Sequence, residues 1–190
     1  MFPAVTLHTK RLFLRAYAPG DGPLFFQVGQ KNRAHLQRYE SGNSILAARS
    51  AEEAERVIGE ICAAWREQRY YFLGVFERAS TEFVAQVYVG VISLELPEFE
   101  VGYFVDCEHE GQGYVSEAVC AVLNWIFVEL GAHRASLRCS DTNRSSARVA
   151  ERCGFVLEGH LRENRRDPDG AYSGALHFGL LRQEFLGANG

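Results

Sequence analysis

The chain has 190 residues, 47% of them hydrophobic, and its 20 Lys and Arg against 24 Asp and Glu leave a formal net charge of −4. That size suits one domain with a substantial core, taken as 1–186 with a frayed tail at 187–190, and the acidic balance excludes general nucleic-acid affinity, which needs a basic stripe. An odd count of cysteines without Cys-x-x-Cys spacing points to reduced thiols in a cytoplasm, and neither a leader pattern nor a membrane-length apolar run is visible.

Thr6–Tyr17 alternates Leu7, Leu12 and Leu14 with polar residues and reads as a strand. Pro19-Gly20-Asp21-Gly22-Pro23 breaks it, Leu24–Gln30 reads as a short helix, and 34–43 fits neither pattern. Ser50-Ala51-Glu52-Glu53 is a capping box, in which the Ser hydroxyl takes the third helical N–H while Glu53 reaches back. It opens a helix with Val57, Ile58, Ile61, Ala64 and Trp65 on one face. Tyr70–Glu77 and Phe83–Leu94 read as two strands around the loop Ala79–Glu82. Pro97 interrupts before a further strand, Phe99–Val105.

Next comes Glu110-Gly111-Gln112-Gly113-Tyr114-Val115-Ser116-Glu117. Beyond it Val115, Ala118, Val119, Val122, Leu123, Ile126, Phe127 and Leu130 recur at helical spacing. A strand, a glycine turn and a helix N-terminus make an anion site, because the first helical N–H groups have no intrahelical partner and the helix dipole adds positive charge there. No Gly-Lys-Ser/Thr follows, so this is not a Walker loop. Gly-x-Gly-x-x-Gly fails at Ser116, so it is not the dinucleotide fingerprint either.

Gly131 supplies a left-handed cap, and His133–Cys139 alternates as a strand. Asp141-Thr142-Asn143 turns into a short helix capped by Ser145 or Ser146, with Val149 and Cys153 inward and Gly154 at its end. Phe155–Leu161 and Ala175–Leu181 are two more strands, joined by a loop that includes Arg165–Gly170. The expected fold is α/β (α+β): a mixed, largely antiparallel sheet of about seven strands flanked by about four helices. The strands on either side of the long helix run parallel if the crossover is right-handed.

VGYFVDCEHEGQGYVSEAV and the run Asn143–Phe155 (NRSSARVAERCGF) together resemble the GNAT superfamily of N-acyltransferases. With T-x-R-L-x-L-R at Thr9–Arg15 and the late L-E-G-x-L-R-E and D-G-x-Y segments, the chain is similar to the branch acetylating N-termini of ribosomal proteins. The resemblance implies acetyl-CoA as co-substrate and no metal. It implies that Gly111, Gln112, Gly113, Tyr114, Val115 and Ser116 hold the pyrophosphate, that Phe104 and Val105 line the pantetheine and the thioester carbonyl, and that Asn143 bonds the pantetheine arm. Many members protonate the leaving thiolate with a Tyr where this chain has Ala150, so Ser146 is the candidate general acid. Ser146 read as a plain helix cap is worth about 1 kcal/mol. Two loop positions depart from the family pattern: Glu110 stands in the place of Gln or Arg, and Val115 in the place of Gly or Ala.

The implied reaction is direct attack of a neutral amine on a thioester. An α-amine of pKa about 8 is roughly a tenth neutral at pH 7, against roughly 0.04% for a lysine. Glu100 is the leading base, with Glu95 behind it; solvated strand-face carboxylates are the plain alternative. The acidic crowd of Glu95, Glu98, Glu100, Asp106, Glu108 and Glu110 favours a cationic acceptor, either a protein N-terminus or a small amine such as a polyamine or aminoglycoside. Neither nucleic acid nor membrane is an expected partner, and a homodimer stays open. A non-catalytic acyl-CoA sensor on the same fold is the alternative, motivated by Glu110, Val115 and Ala150. Asp106–Glu110 has metal-ligand composition, but adjacent residues in extended chain point apart, which favours a solvated turn. His160 and His177 are bases or structural groups. Arg165 and Arg166 touch substrate or solvent. Tyr39, Trp65 and Tyr70 line an acceptor slot, unless Trp65 belongs to the core.

Overall fold

The computed structural model describes residues 5–40, 42–167 and 170–188. Pro168 and Asp169 of the expected loop and 189–190 of the expected tail lie outside them. The described residues form eight strands and six α-helices, against about seven and about four expected. In order these are β1 (Thr6–His8), β2 (Leu12–Ala16), α1 (Gly22–Lys31), α2 (Arg33–Tyr39), α3 (Ala51–Arg66), β3 (Tyr70–Glu77), β4 (Phe83–Ser93) and β5 (Glu98–Val105). There follow α4 (Tyr114–Asn124), β6 (Arg134–Ser140), α5 (Arg144–Arg152), β7 (Val156–Arg166), β8 (Tyr172–Leu181) and α6 (Arg182–Ala188). The strand order is β1-β2-β3-β4-β5-β6-β8-β7. Among the described residues no helix is long and apolar enough to cross a membrane.

Two compact units are present, Met1–Tyr88 with Tyr103–Ala118 and Val89–Gly102 with Val119–Gly190. In the first, the expected Thr6–Tyr17 strand is two strands. Thr9 N–H bonds Leu12 O at 2.9 Å and turns the chain, after which β1 pairs antiparallel with β2, and β2 with β3. Phe25, Leu36, Ile45, Ile58 and Ile61 from the helical side are all buried in one core cluster. The helix that 34–43 did not reveal is α2, a short element with Leu36 as its buried residue. Ser50 caps α3 through a 3.2 Å bond from Glu53 N–H, but the return half of the box differs, since Glu53 accepts from Arg49 N–H at 2.8 Å.

In the second unit β5 pairs parallel with β6, as a right-handed crossover requires, and β6 and β7 each pair antiparallel with β8. The apolar stripe of α4 is buried from Val119 to Leu123. Its continuation through Trp125–Glu129 widens into a π-turn, with Leu130 N–H bonding Trp125 O at 3.1 Å. The Arg182 guanidinium donates to the Phe127 carbonyl within this turn and, at 3.3 Å, to that of Ala132 just beyond it. Gly131 then takes φ +70°. Across the sheet Arg134 forks onto Glu98 and Glu158 over Gly179, where a Cβ would meet Glu158 Oε1 at 2.3 Å. A side chain at that position would have to displace the ends of the Glu158 and Arg134 side chains.

Candidate functional site

The glycine turn in the first unit is built for backbone exposure. Gly111 and Gly113 have φ of +73° and +78°, a conformation that side chains other than glycine's disfavour. Glu117 N–H bonds Gly113 O at 3.2 Å, which makes Gly113 the N-cap of α4 and leaves Tyr114 and Val115 at the head of the helix. Phe104 is buried and ends β5 beside Val105, and Asp106 N–H bonds Val84 O at 2.9 Å just beyond.

The turn is held by a network that spacing did not reveal. Asp106 is 1% exposed and accepts from Lys31 Nζ and Asn32 Nδ2, each at 2.9 Å, with His109 Nδ1 at 2.8 Å. Burial alone would raise its pKa, but the hydrogen bonds from Asn32, Lys31 and His109 outweigh it and hold the carboxyl below the usual range. Cys107 N–H bonds Asn32 Oδ1 at 2.8 Å, so one buried Asn fixes both the carboxylate and the following backbone. Tyr114 OH donates to Glu77 at 2.6 Å; that bond lowers the Glu77 pKa and raises that of Tyr114.

Arg11 is the residue that sequence reasoning missed. It follows the β1 strand, lies over the Tyr114 ring at 4.6 Å, donates from Nη1 to Gln112 O at 3.0 Å and from Nε to Glu117 at 2.6 Å. Glu117 also accepts from Thr9 Oγ1 at 2.6 Å and Arg11 N–H at 2.9 Å. Against the upward pull of burial, these bonds hold its carboxyl below the usual range. The turn therefore carries a guanidinium at its side although Glu110 holds the place where the family has Gln or Arg. Glu110 itself is 55% exposed and engaged with His35 of α2 at 3.2 Å. Val115 is buried, so its extra bulk is taken up in the interior.

In the second unit Asn143 caps α5, its Oδ1 accepting from Ser146 N–H at 3.1 Å. The expected cap at Ser145 or Ser146 is thereby corrected: both lie inside the first turn, because the Asn side chain takes the orphan donor first. Burial holds the Cys139 thiol above its ordinary pKa, and its hydrogen bond with the Ser146 side chain opposes that rise without cancelling it. Ala150 is fully buried.

Glu100 is not an isolated carboxylate. Arg138 Nε donates to it at 2.7 Å, on a strand whose parallel pairing covers Glu98–Glu100 opposite Arg134–Ser136. The rest of the acidic crowd is similarly engaged, Glu98 with Arg134, Glu108 with Lys31 and Glu110 with His35, while Glu95 is exposed in the β4–β5 turn. His160 Nε2 meets Asp141 at 2.8 Å, and His177 pairs in register with Arg138. Arg165 is tied to Asp167 at 2.7 Å. Trp65 is buried edge-on against Tyr71 at 4.8 Å, whereas Tyr70 and Tyr39 are half-buried under Arg69 and Arg38. Among the described residues no three His, Cys, Asp or Glu side chains gather as a metal site.

The Acetyltransferase (GNAT) domain family matches residues 11–156. Ribosomal-protein-serine acetyltransferase of Escherichia coli is 29% identical over 161 residues, covering 82% of this chain and 84% of that protein. A match to Probable N-acetyltransferase YjcK of Bacillus subtilis is 34% identical and takes in 52% of this chain and 55% of that one. Among solved structures, RimL, a ribosomal L7/L12 alpha-N-protein acetyltransferase in complex with coenzyme A, superposes with a TM-score of 0.83 at 21% identity over 93% of this chain and 98% of that one. The matched span takes in Arg11, the glycine turn and the Asn143 cap, and the chain belongs to the GNAT acetyltransferase family, with relatives in its RimJ/RimL-like branch.

Proposed function

We propose that the chain moves the acetyl group of acetyl-CoA to a protein N-terminal α-amine. The observation that carries this is the pair of positive-φ glycines at the head of α4 with Arg11 alongside, an arrangement suited to a pyrophosphate. The activities for which the E. coli relative and RimL are named support the acceptor class.

In this reading the backbone of Gly111–Ser116 takes the CoA pyrophosphate. Phe104 and Val105 present main chain to the pantetheine and the thioester carbonyl, and Asn143 serves the pantetheine arm. The neutral amine attacks the carbonyl, and backbone N–H groups stabilise the developing oxyanion. Glu100, beside Arg138, removes the amine's proton through water, and Ser146 protonates the departing thiolate. Demand on the acid is modest, since a thiol of pKa about 8.5 leaves more readily than an amine.

Two features behind the sensor alternative lose their force, because Glu110 is engaged at His35 and Val115 is buried. The small-cation alternative is also weakened, because most of the acidic crowd already has internal cationic partners. The deciding experiment measures thiol release from acetyl-CoA with N-terminal peptides and polyamines side by side, using wild type and Gly113→Asp. Peptide-dependent release that the variant loses, together with its CoA affinity, is expected. CoA binding without turnover on any acceptor would defeat the catalytic reading, and an unchanged CoA affinity in the variant would defeat the assignment of the loop.

A further inference from the structure

Away from the glycine turn, the second unit brings two thiols together. Cys120 is on the exposed side of α4, and Cys153 is the buried C-cap of α5, just before Gly154 at φ +86°. The Cys120 thiol donates to Cys153 Sγ across 3.7 Å, although the two are 33 positions apart in sequence. The other cysteines are placed differently: Cys62 donates to Tyr17 O at 3.4 Å, Cys139 engages Ser146, and Cys107 is exposed in the loop before the glycines. One thiol is therefore open to a reagent and has a second within reach behind it.

We propose that Cys120 and Cys153 form a redox modification site, a dithiol that a small-molecule disulfide converts into an intramolecular bridge stapling α4 to the end of α5. The Cys120 thiolate attacks one sulfur of the reagent, the reagent's S–S bond breaks, and one small thiolate leaves. Cys153 gives up its proton to solvent and attacks Cys120 Sγ in the mixed disulfide, expelling the second small thiolate. Two protein thiols and one disulfide thus give one protein disulfide and two small thiols. The order follows from the surroundings: Cys153 is buried, which pushes its thiol up, while Cys120 is exposed to the reagent, so the exposed partner reacts first. The sulfurs start 3.7 Å apart, and side-chain rotation brings them toward a bond of about 2.05 Å.

The test treats the folded, reduced protein with glutathione disulfide, blocks remaining thiols by alkylation and maps the peptides by mass. A Cys120–Cys153 cross-linked peptide is expected, with a melting temperature raised on the order of 5 °C and restored by dithiothreitol. Cys120→Ser, which alters an exposed position, should fold normally and show neither the cross-link nor the shift. Cys153→Ser should instead keep glutathione on Cys120. A lasting mixed disulfide at Cys120 in the wild type, or the same melting shift in Cys120→Ser, would overturn the assignment.

Discussion

The guanidinium of Arg11 sits 4.6 Å from the centre of the Tyr114 ring, so a residue from the first hairpin braces the first residue of the α4 helix. Arg11→Ala removes that stacking, the bond to Gln112 O and the cation nearest the glycines. A roughly tenfold weaker Kd for CoA is expected by calorimetry, at constant ionic strength. Arg11→Lys should recover only part of it, because an ammonium keeps charge but not the planar fork. Equal affinity in all three proteins would reduce Arg11 to a surface brace.

Asn143 and Ser146 separate into stability and turnover. Asn143→Ala removes the cap of α5 and should cost about 1 kcal/mol, or about 3 °C in Tm. Ser146→Ala leaves the cap intact, so its Tm should hold while kcat falls more than CoA affinity. Full turnover in that variant would leave the hydroxyl with no part beyond its bond to Cys139.

For Glu100 the informative variable is pH. Glu100→Gln should lower kcat on the order of a hundredfold near pH 7, where an α-amine is mostly protonated. At pH about 9 the amine is largely neutral by itself, and the gap should narrow. A gap that stays constant across this range assigns Glu100 to positioning Arg138 and not to proton removal.

Asp106 sets an acid limit on stability. Its folded pKa lies below the unfolded value of about 3.9, so the stabilisation is fully present above that value and is lost as pH falls through the folded pKa. Asp106→Asn should cost about 3 kcal/mol at pH 7, read from urea unfolding, because Lys31 and His109 lose their buried partner. The difference from wild type should shrink steadily below about pH 4. A difference that does not change with acid would mean that the ionised form is not what the network binds.

The parts legible in the sequence were those written in local spacing. The buried stripe of α4, the two glycines before it and the Ser50 cap all depend on residues a few positions apart. The parallel β5–β6 pairing followed from the helix between the two strands, which makes their connection a crossover and not a hairpin. What escaped depends on partners far along the chain. Arg11 and Glu117 are 106 positions apart, and the acidic run near the turn looked free because Lys31, His35, Arg134 and Arg138 are remote in sequence. The cap of α5 was misread by two or three positions, because Asn143 and the two serines have nearly equal capping ability and backbone geometry alone chooses between them. The bond from Arg182 to the Phe127 carbonyl in the π-turn was invisible for a similar reason, since Arg182 lies beyond the last strand.

Strand order carries one more consequence, for the chain as it is made. β7 precedes β8 in synthesis, yet β8 lies between β6 and β7 in the sheet. Until Tyr172–Leu181 has left the ribosome, β7 has no neighbour to pair with, because its one ladder is to β8. The second unit therefore closes late, by insertion of its youngest strand between two older ones, and the nascent protein is most vulnerable to aggregation just before that strand arrives.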